Sequence, residues 1–219
     1  PVKRFERPMF GYLTREEMLA VVWEPGDSWL SQRDHALFLL MYNTGARVSE
    51  IVGVKVGDVV LDPGAACVHL HGKGRKQRSV PLWRSTVKAL RAWLHVNPQF
   101  DGASPLLPNR SGHKMTRANV TLRLVSAVLR ATETRPALAK RKVSPHTIRH
   151  TTAMHLLQAG VDISVIALWL GHESPVTTHH YIEADLAMKE RALAKLHEPD
   201  AKVQRYRAPD SLLDFLRTL

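Results

Sequence analysis

Two side chains suited to holding a phosphate stand three residues apart, His146 and Arg149, in the run Ser144-Pro145-His146-Thr147-Ile148-Arg149-His150. Ser followed by Pro is a helix start, an N-cap with Pro at the first helical position. Residues three apart on that first turn share a face. The free N–H groups and positive end of the helix add to the imidazole and the guanidinium as an anion site. A second cation, Arg47, follows a glycine stop in Thr44-Gly45-Ala46-Arg47-Val48-Ser49-Glu50, with Glu50 three residues on. Lys73 occupies the tip of a tight Gly72-Lys73-Gly74 turn, crowded by Arg75, Lys76 and Arg78. So many like charges on one turn cost stability unless a polyanion lies nearby. Leu170-Gly171-His172 sends a histidine off a helix end, and Tyr181 comes nine residues later. Each piece alone has an ordinary structural reading. Arg47 and Glu50 alone are a surface ion pair worth roughly 0.2–0.5 kcal/mol. The lysines alone protect an edge strand, and a single tyrosine is usually a packing residue.

Thr14 and Glu17 form a capping box that opens a helix to about Trp23, closed by Pro25-Gly26. A second helix is predicted from about Gln32 to Asn43, with Leu37, Leu40 and Met41 at helical spacing and Gly45 as its stop. A short helix covers Val48 to Val52. Lys55 to Leu61, Ala66 to His71 and Gln77 to Pro81 read as three strands, the first two joined by the turn Asp62-Pro63-Gly64 and the last two by the basic tip. Helices follow at about Ser85–Val96 and Arg117–Thr132, then a polar, basic loop over 133–143. The Ser144-Pro145 helix runs to Gln158 before Gly160, and Asp162 caps another over Ile163–Leu170 that ends at Gly171. Ser174-Pro175 repeats the cap ahead of Tyr181. A helix over about Ala184–Leu196 and a linker from Pro199 to Pro209 lead to a last amphipathic helix, Ser211–Leu219. The expected fold is mainly α with a small three-stranded antiparallel β-sheet (α+β).

Composition sets the partner class. The chain has 219 residues, enough for one large domain, and 44% of them are hydrophobic, enough for a core. Lys and Arg number 31 against 20 Asp and Glu, a formal net charge of +11 that attracts polyanions, nucleic acid foremost. Cys67 is the only cysteine, which excludes an intramolecular disulfide and a cysteine-built zinc site. A reducing compartment, cytoplasmic and DNA-associated, is expected. The longest apolar run, Ala36–Tyr42, is far short of a bilayer span, so no membrane partner is expected. The chain begins at Pro1 without Met or a signal-peptide apolar region, and a fragment or processed product is expected.

Taken together, the order T-G-A-R-V-S-E, a hairpin lysine, H-x-x-R-H, L-G-H and a tyrosine nine residues on resembles the tyrosine recombinase (phage integrase) family. The stretch S-P-H-T-I-R-H-T-T-A-M-H-L-L-Q-A-G-V-D-I-S-V-I-A-L-W-L-G-H-E-S-P-V-T-T-H-H-Y, Ser144 to Tyr181, is similar to that family almost throughout, and the likeness extends from about Thr14 to Leu196. The resemblance implies a catalytic set of Arg47, Glu50, Lys73, His146, Arg149, His172 and Tyr181. Lys76 lies on the same hairpin as Lys73. After Tyr181 the chain reads Ile182-Glu183, where the family often has a histidine two residues on; that departure falls outside the set.

The resemblance also implies a mechanism. Tyr181 attacks the scissile phosphorus of double-stranded DNA to give a 3′-phosphotyrosyl bond. Arg47 and Arg149 clamp the oxygens where charge grows, with His172 as a further donor. His146 assists removal of the phenol proton, and Lys73 protonates the leaving 5′-hydroxyl, which an arginine cannot do. Glu50 orients basic neighbours on the His146 or Arg47 side. The covalent bond conserves the phosphodiester energy, so no ATP is needed and no Walker motif is present; no acidic cluster suits Mg²⁺, and no metal or cofactor is expected. Arg75, Lys76, Arg78, Lys114, Arg117, Lys140, Arg141 and Lys142 are the expected contacts to backbone phosphates. In domain terms, residues 1–13 are an arm or linker remnant, 14–198 a catalytic domain, and 199–219 a linker with the C-terminal helix. Leu212, Phe215, Leu216 and Leu219 line one stripe of that helix. It docks on its own domain or, as family tails often do, on a neighbouring protomer in a synaptic tetramer. The N-terminal DNA-clamping domain usual in the family is not found in this sequence. Two other readings differ in what they require. A type IB topoisomerase relaxes supercoils as a monomer, and a basic DNA-binding regulator needs no nucleophile. A metalloprotein is disfavoured because H-T-I-R-H lacks the glutamate of H-E-x-x-H.

Overall fold

The computed structural model describes residues 11–23, 26–72 and 77–171. Seven α-helices are present among them: α1 (Arg15–Val22), α2 (Trp29–Thr44), α3 (Val48–Ile51), α4 (Arg84–His95), α5 (Arg117–Ala131), α6 (Pro145–Gln158) and α7 (Ile163–Leu170). Three short strands, β1 (Val59–Val60), β2 (Cys67–His71) and β3 (Gln77–Pro81), pair antiparallel in the order β1-β2-β3. The expected class, mainly helical with one small sheet, is the observed one.

Local chemistry explains most helix ends. The capping box at α1 is closed both ways: Glu17 N–H donates to Thr14 Oγ1 at 3.2 Å, and Thr14 N–H to Glu17 Oε2 at 2.8 Å. Ser144 and Asp162 cap α6 and α7. Gly45 and Gly171 end α2 and α7 in the left-handed conformation, with φ of 57° and 67°. α2 begins one turn earlier than its pattern suggests. Ser28 caps it, and Trp29 packs edge-on to Trp93 at 5.0 Å while its indole N–H reaches Asn97 Oδ1 at 2.8 Å.

α2 is the axis of the domain. Phe38, Leu37, Leu40 and Met41 are almost fully buried, and α1, α3, α4 and α6 all pack on it. That all-round burial blurs the amphipathic signal a surface helix carries. A buried ionic link fastens α2 to α5. Asp34 accepts from Arg33 Nη2 at 2.7 Å and from Arg123 Nε at 2.6 Å.

Three expectations change. Lys55–Leu61 is not one strand: Val56–Asp58 forms a 3-10 turn, and only Val59–Val60 joins the sheet. Asp58 Oδ2 captures the Lys55 N–H at 2.8 Å, and Val56 and Gly57 donate to Ser104 and Gly102 carbonyls at 3.0 Å. These bonds divert the backbone from a ladder. Gly57 is required there, since a Cβ would stand 2.9 Å from the Gly102 oxygen. Within the loop 133–143, Pro136–Lys140 turns as a 3-10 helix that buries Leu138. The inner end of the N-terminal arm is packed: Leu13 is fully buried and its N–H donates to Thr151 Oγ1 at 3.0 Å. Residues 1–10 lie outside the described residues, as do the hairpin tip and everything after Gly171. No helix among the described residues is long and apolar enough to cross a membrane.

Candidate active site

The left-handed turn at Gly45 ends α2 and throws Arg47 onto the start of α3. Thr44 stabilises the turn, donating to Leu40 C=O at 2.7 Å and accepting the Ala46 N–H at 3.2 Å. Space as well as φ demands glycine here: a Cβ at 45 would lie 2.5 Å from Leu170 Cδ2 and 3.2 Å from Thr152 Cγ2. The close approach of α6 and α7 to this turn is what brings the second arginine in.

Arg149 projects from the first turns of α6 and is buried. Its Nη1 donates to Gly45 C=O at 2.7 Å and its Nη2 to Leu170 C=O at 2.9 Å. Those carbonyls belong to the C-terminal ends of α2 and α7, where oxygens lack helical partners and negative dipole ends converge. One guanidinium therefore satisfies two helix ends and fixes its own orientation. Arg47 is half exposed; its Nη1 is 3.4 Å from Gly171 C=O and 3.6 Å from Glu50 Oε1.

Arg47, Arg149 and His146 line one cavity of about 270 Å³, together with Ser49, Arg117 and Thr121. His146 and Arg117 are exposed at its rim, on the first turns of α6 and α5. Arg47 and the pair His146 and Arg149, about a hundred positions apart in sequence, thus share one concave, cationic surface. A larger cavity of about 830 Å³ is lined by Leu19, Tyr42, Trp83 and His155 among others. It contains no member of the implied catalytic set, so the smaller one is the candidate site. Among the described residues no group of three or more His, Cys, Asp or Glu side chains is placed to hold a metal ion.

Glu50 departs in part from expectation. It is buried and accepts the Arg47 backbone N–H at 2.7 Å, as a residue acting on the Arg47 side should. Its carboxylate, however, is held mainly by Arg78 of β3, whose Nη1 and Nη2 donate at 2.7 and 2.9 Å. Burial by itself raises the Glu50 pKa, but the Arg78 hydrogen bonds and the Arg47 N–H outweigh it and hold the carboxyl below its usual range. Arg78, expected to face DNA, therefore turns inward. The alternation along β3 carries the signal for this. Val80 is buried, so Arg78 two residues earlier shares the inward face, and an inward guanidinium requires acceptors, here the Glu50 carboxylate and the Trp169 carbonyl.

The other expected phosphate contacts divide. Lys114, Arg117, Lys140 and Lys142 are exposed. Arg141 is engaged within the fold, donating to Glu17 Oε2 at 2.5 Å and to the Tyr12 carbonyl. Lys73, Arg75, Lys76, His172 and Tyr181 lie outside the described residues.

Two further histidines on α6 have imidazoles held below their usual pKa. Burial, and then the charges of His146 and Arg149, push the His150 pKa below its usual 6.5. Burial also lowers that of His155, against a hydrogen bond to the Leu13 backbone, while its Nδ1 lies 2.7 Å from the Tyr42 hydroxyl. Both are neutral in the fold near pH 7. As pH falls through the unfolded value the unfolded chain takes up protons first, so stability declines toward the depressed folded values. The melting temperature should drop between about pH 7 and pH 5, and His155→Asn should shrink the drop. A flat profile across that window would count against these assignments. Glu50 acts lower: its contribution is present above its usual 4.5 and disappears as pH falls through its depressed value.

Residues 12–188 match the phage integrase family. Over its whole length the chain is 46% identical to a putative integrase/recombinase, y4rC, of Sinorhizobium fredii, and it covers 66% of that protein. It is 41% identical to the tyrosine recombinase XerC of Neisseria gonorrhoeae, over 85% of this chain and 58% of that one. Among solved structures, the site-specific recombinase XerH bound to a palindromic difH substrate, in a post-cleavage complex, superposes with a TM-score of 0.71 at 25% identity, over 85% of this chain and 53% of that one. The fold is that of the tyrosine recombinase catalytic domain. The chain belongs to the phage integrase family. It spans between about half and two thirds of the length of the relatives named here.

Proposed function

We propose that this chain is the catalytic domain of a site-specific tyrosine recombinase, which cleaves and rejoins double-stranded DNA through a 3′-phosphotyrosyl intermediate without metal, cofactor or ATP. One observation carries the reading: Arg47, Arg149 and His146 line a single cavity. Two guanidinium groups and an imidazole around one small space suit a phosphodiester whose equatorial oxygens gain charge in the transition state. Fixed donors there also cost no reorganisation. Arg149 is already oriented by two carbonyls, so its clamp is built before DNA arrives.

In the proposed reaction the Tyr181 oxygen attacks phosphorus, its proton passing toward His146. The P–O bond to the 5′ oxygen breaks, and Lys73 protonates that oxygen. Rejoining reverses the steps with a new 5′-hydroxyl as nucleophile. Glu50 acts at Arg47, and His172 is the additional donor. Arg75, Lys76, Lys114, Arg117, Lys140 and Lys142 contact backbone phosphates, an electrostatic attachment that should weaken steeply with salt. The protein works as a tetramer on DNA, with the apolar stripe of Leu212, Phe215, Leu216 and Leu219 joining protomers. The recombinase names of the relatives and the DNA-bound state of XerH support this assignment of partner.

The test is covalent capture. A pool of nicked suicide duplexes with randomised sequence is incubated with the chain, and protein-linked DNA is recovered under denaturing conditions. The expected result is a selected duplex attached to the peptide that contains Tyr181. Attachment through another residue, or no attachment in the absence of metal and ATP, would overturn the reading.

A further inference from the structure

The proposed chemistry assigns no task to Arg78, yet its guanidinium is among the most fully engaged in the structure. The side chain is 14% exposed. Nε donates to Trp169 C=O at 3.0 Å, in the last turn of α7, and Nη1 and Nη2 each hold one oxygen of Glu50 at 2.7 and 2.9 Å. The surroundings are shaped to it. A Cβ on Gly171 would lie 2.8 Å from Nη1 and 3.0 Å from Cζ, so the left-handed turn after α7 is seated directly on the guanidinium. On the far side, Glu50 passes the constraint to the Arg47 N–H at 2.7 Å, and Arg47 Nη1 returns to Gly171 C=O at 3.4 Å. The result is a closed ring through Arg78, Glu50, Arg47 and Gly171.

We propose that Arg78 is a positioning residue for strand cleavage: its planar fork holds β3, the Arg47 turn and the Gly171 turn in one register, so that Arg47 meets the phosphate in the orientation set by Arg149. Its own charge is matched by the Glu50 carboxylate and is not part of the phosphate clamp. Only an arginine fits the task. Three nitrogens in a rigid plane bridge two carboxylate oxygens and a carbonyl, whereas one ammonium cannot span them. Chain connectivity extends the reach of the ring. Lys73 precedes Arg78 by five residues, and His172 directly follows Gly171.

The inference rests on the proposed strand exchange, and its test separates the two. The full chain and its Arg78→Lys variant are compared on the duplex recovered by covalent capture, measuring single-turnover adduct formation at saturating DNA, duplex affinity and melting temperature. The expected result is a saturating rate about 10²-fold slower in Arg78→Lys, the scale of an ångström-level misplacement, with affinity close to that of the parent and a lowered melting temperature, since Glu50 and the Trp169 carbonyl lose donors. An equal saturating rate would overturn the inference and leave strand exchange standing. A loss confined to affinity would also overturn it, by making Arg78 a phosphate contact. Absence of adduct with the parent chain would remove both. If Arg78→Lys melts below the assay temperature, Glu50→Gln reads the same bridge from its other end. It should slow cleavage similarly, and the double variant assayed in the cold should be no slower than the worse single one. Multiplicative losses would refute the ring.

Discussion

Tyr181→Phe should form no covalent adduct with a suicide duplex while binding that duplex with unchanged affinity. The substitution removes one oxygen and keeps the ring, so under the proposed reaction only the bond-forming atom is lost. No neighbouring residue in the sequence offers an equivalent. Ser174, Thr177 and Thr178 are the hydroxyls in the same stretch, and a simple hydroxyl would need a base placed for it. In the proposed function, affinity for DNA comes from cations on backbone phosphates, which the change leaves alone. A denaturing gel reports the adduct, and filter binding at fixed salt reports the affinity. An adduct in the variant would mean that another side chain is the nucleophile. Loss of binding together with the adduct would mean that the tyrosine positions DNA rather than attacking it.

Arg149→Lys should damage chemistry and stability together. Arg149 bonds the carbonyls of Gly45 and Leu170 while lining the candidate phosphate site. A lysine ammonium has no fork with which to reach both carbonyls and a phosphate oxygen. Loss of one donor to a developing oxyanion costs about 10²–10³ in rate, and a buried carbonyl left without its donor costs about 1–3 kcal/mol. Single-turnover cleavage at saturating DNA should therefore fall by that factor, and urea unfolding should show the stability loss. A variant that lost stability but cleaved at the parental rate would reduce Arg149 to a latch between helix ends. One that lost rate alone would show that the two carbonyls find other donors.

Arg149 ties two helix ends together on one side of the candidate site. The ends of α2 and α7 concentrate carbonyl oxygens, and the guanidinium that neutralises them is oriented without DNA. The same economy appears at Glu50, whose carboxylate closes one turn through the Arg47 N–H and anchors a strand through Arg78. A pocket assembled from helix ends is sensitive to anything that adds volume there. Gly45 and Gly171, with positive φ and side chains packed against them, are its least substitutable backbone positions.

What could be read from sequence was whatever is settled within a few residues. The Thr14–Glu17 box, the Ser144-Pro145 start, the Asp162 cap and the glycine stops at 45 and 171 are local hydrogen-bonding and steric events, and each is found where expected. The family motifs were legible by their order along the chain, and the family they indicate is the one to which the chain belongs. Tertiary structure alone decided which charges meet. Glu50 and Arg78 are 28 residues apart, and Arg149 and Gly45 are 104 apart. Arg78 and Arg141, two arginines among many, turn inward only because Glu50 and Glu17 are brought beside them. Lys55–Leu61 likewise has the β-branched texture of a strand, but carbonyls from residues 102 and 104 take its N–H groups first. Propensity is a property of neighbours in sequence; partnership depends on neighbours in space, and a buried charge or N–H is governed by the partner.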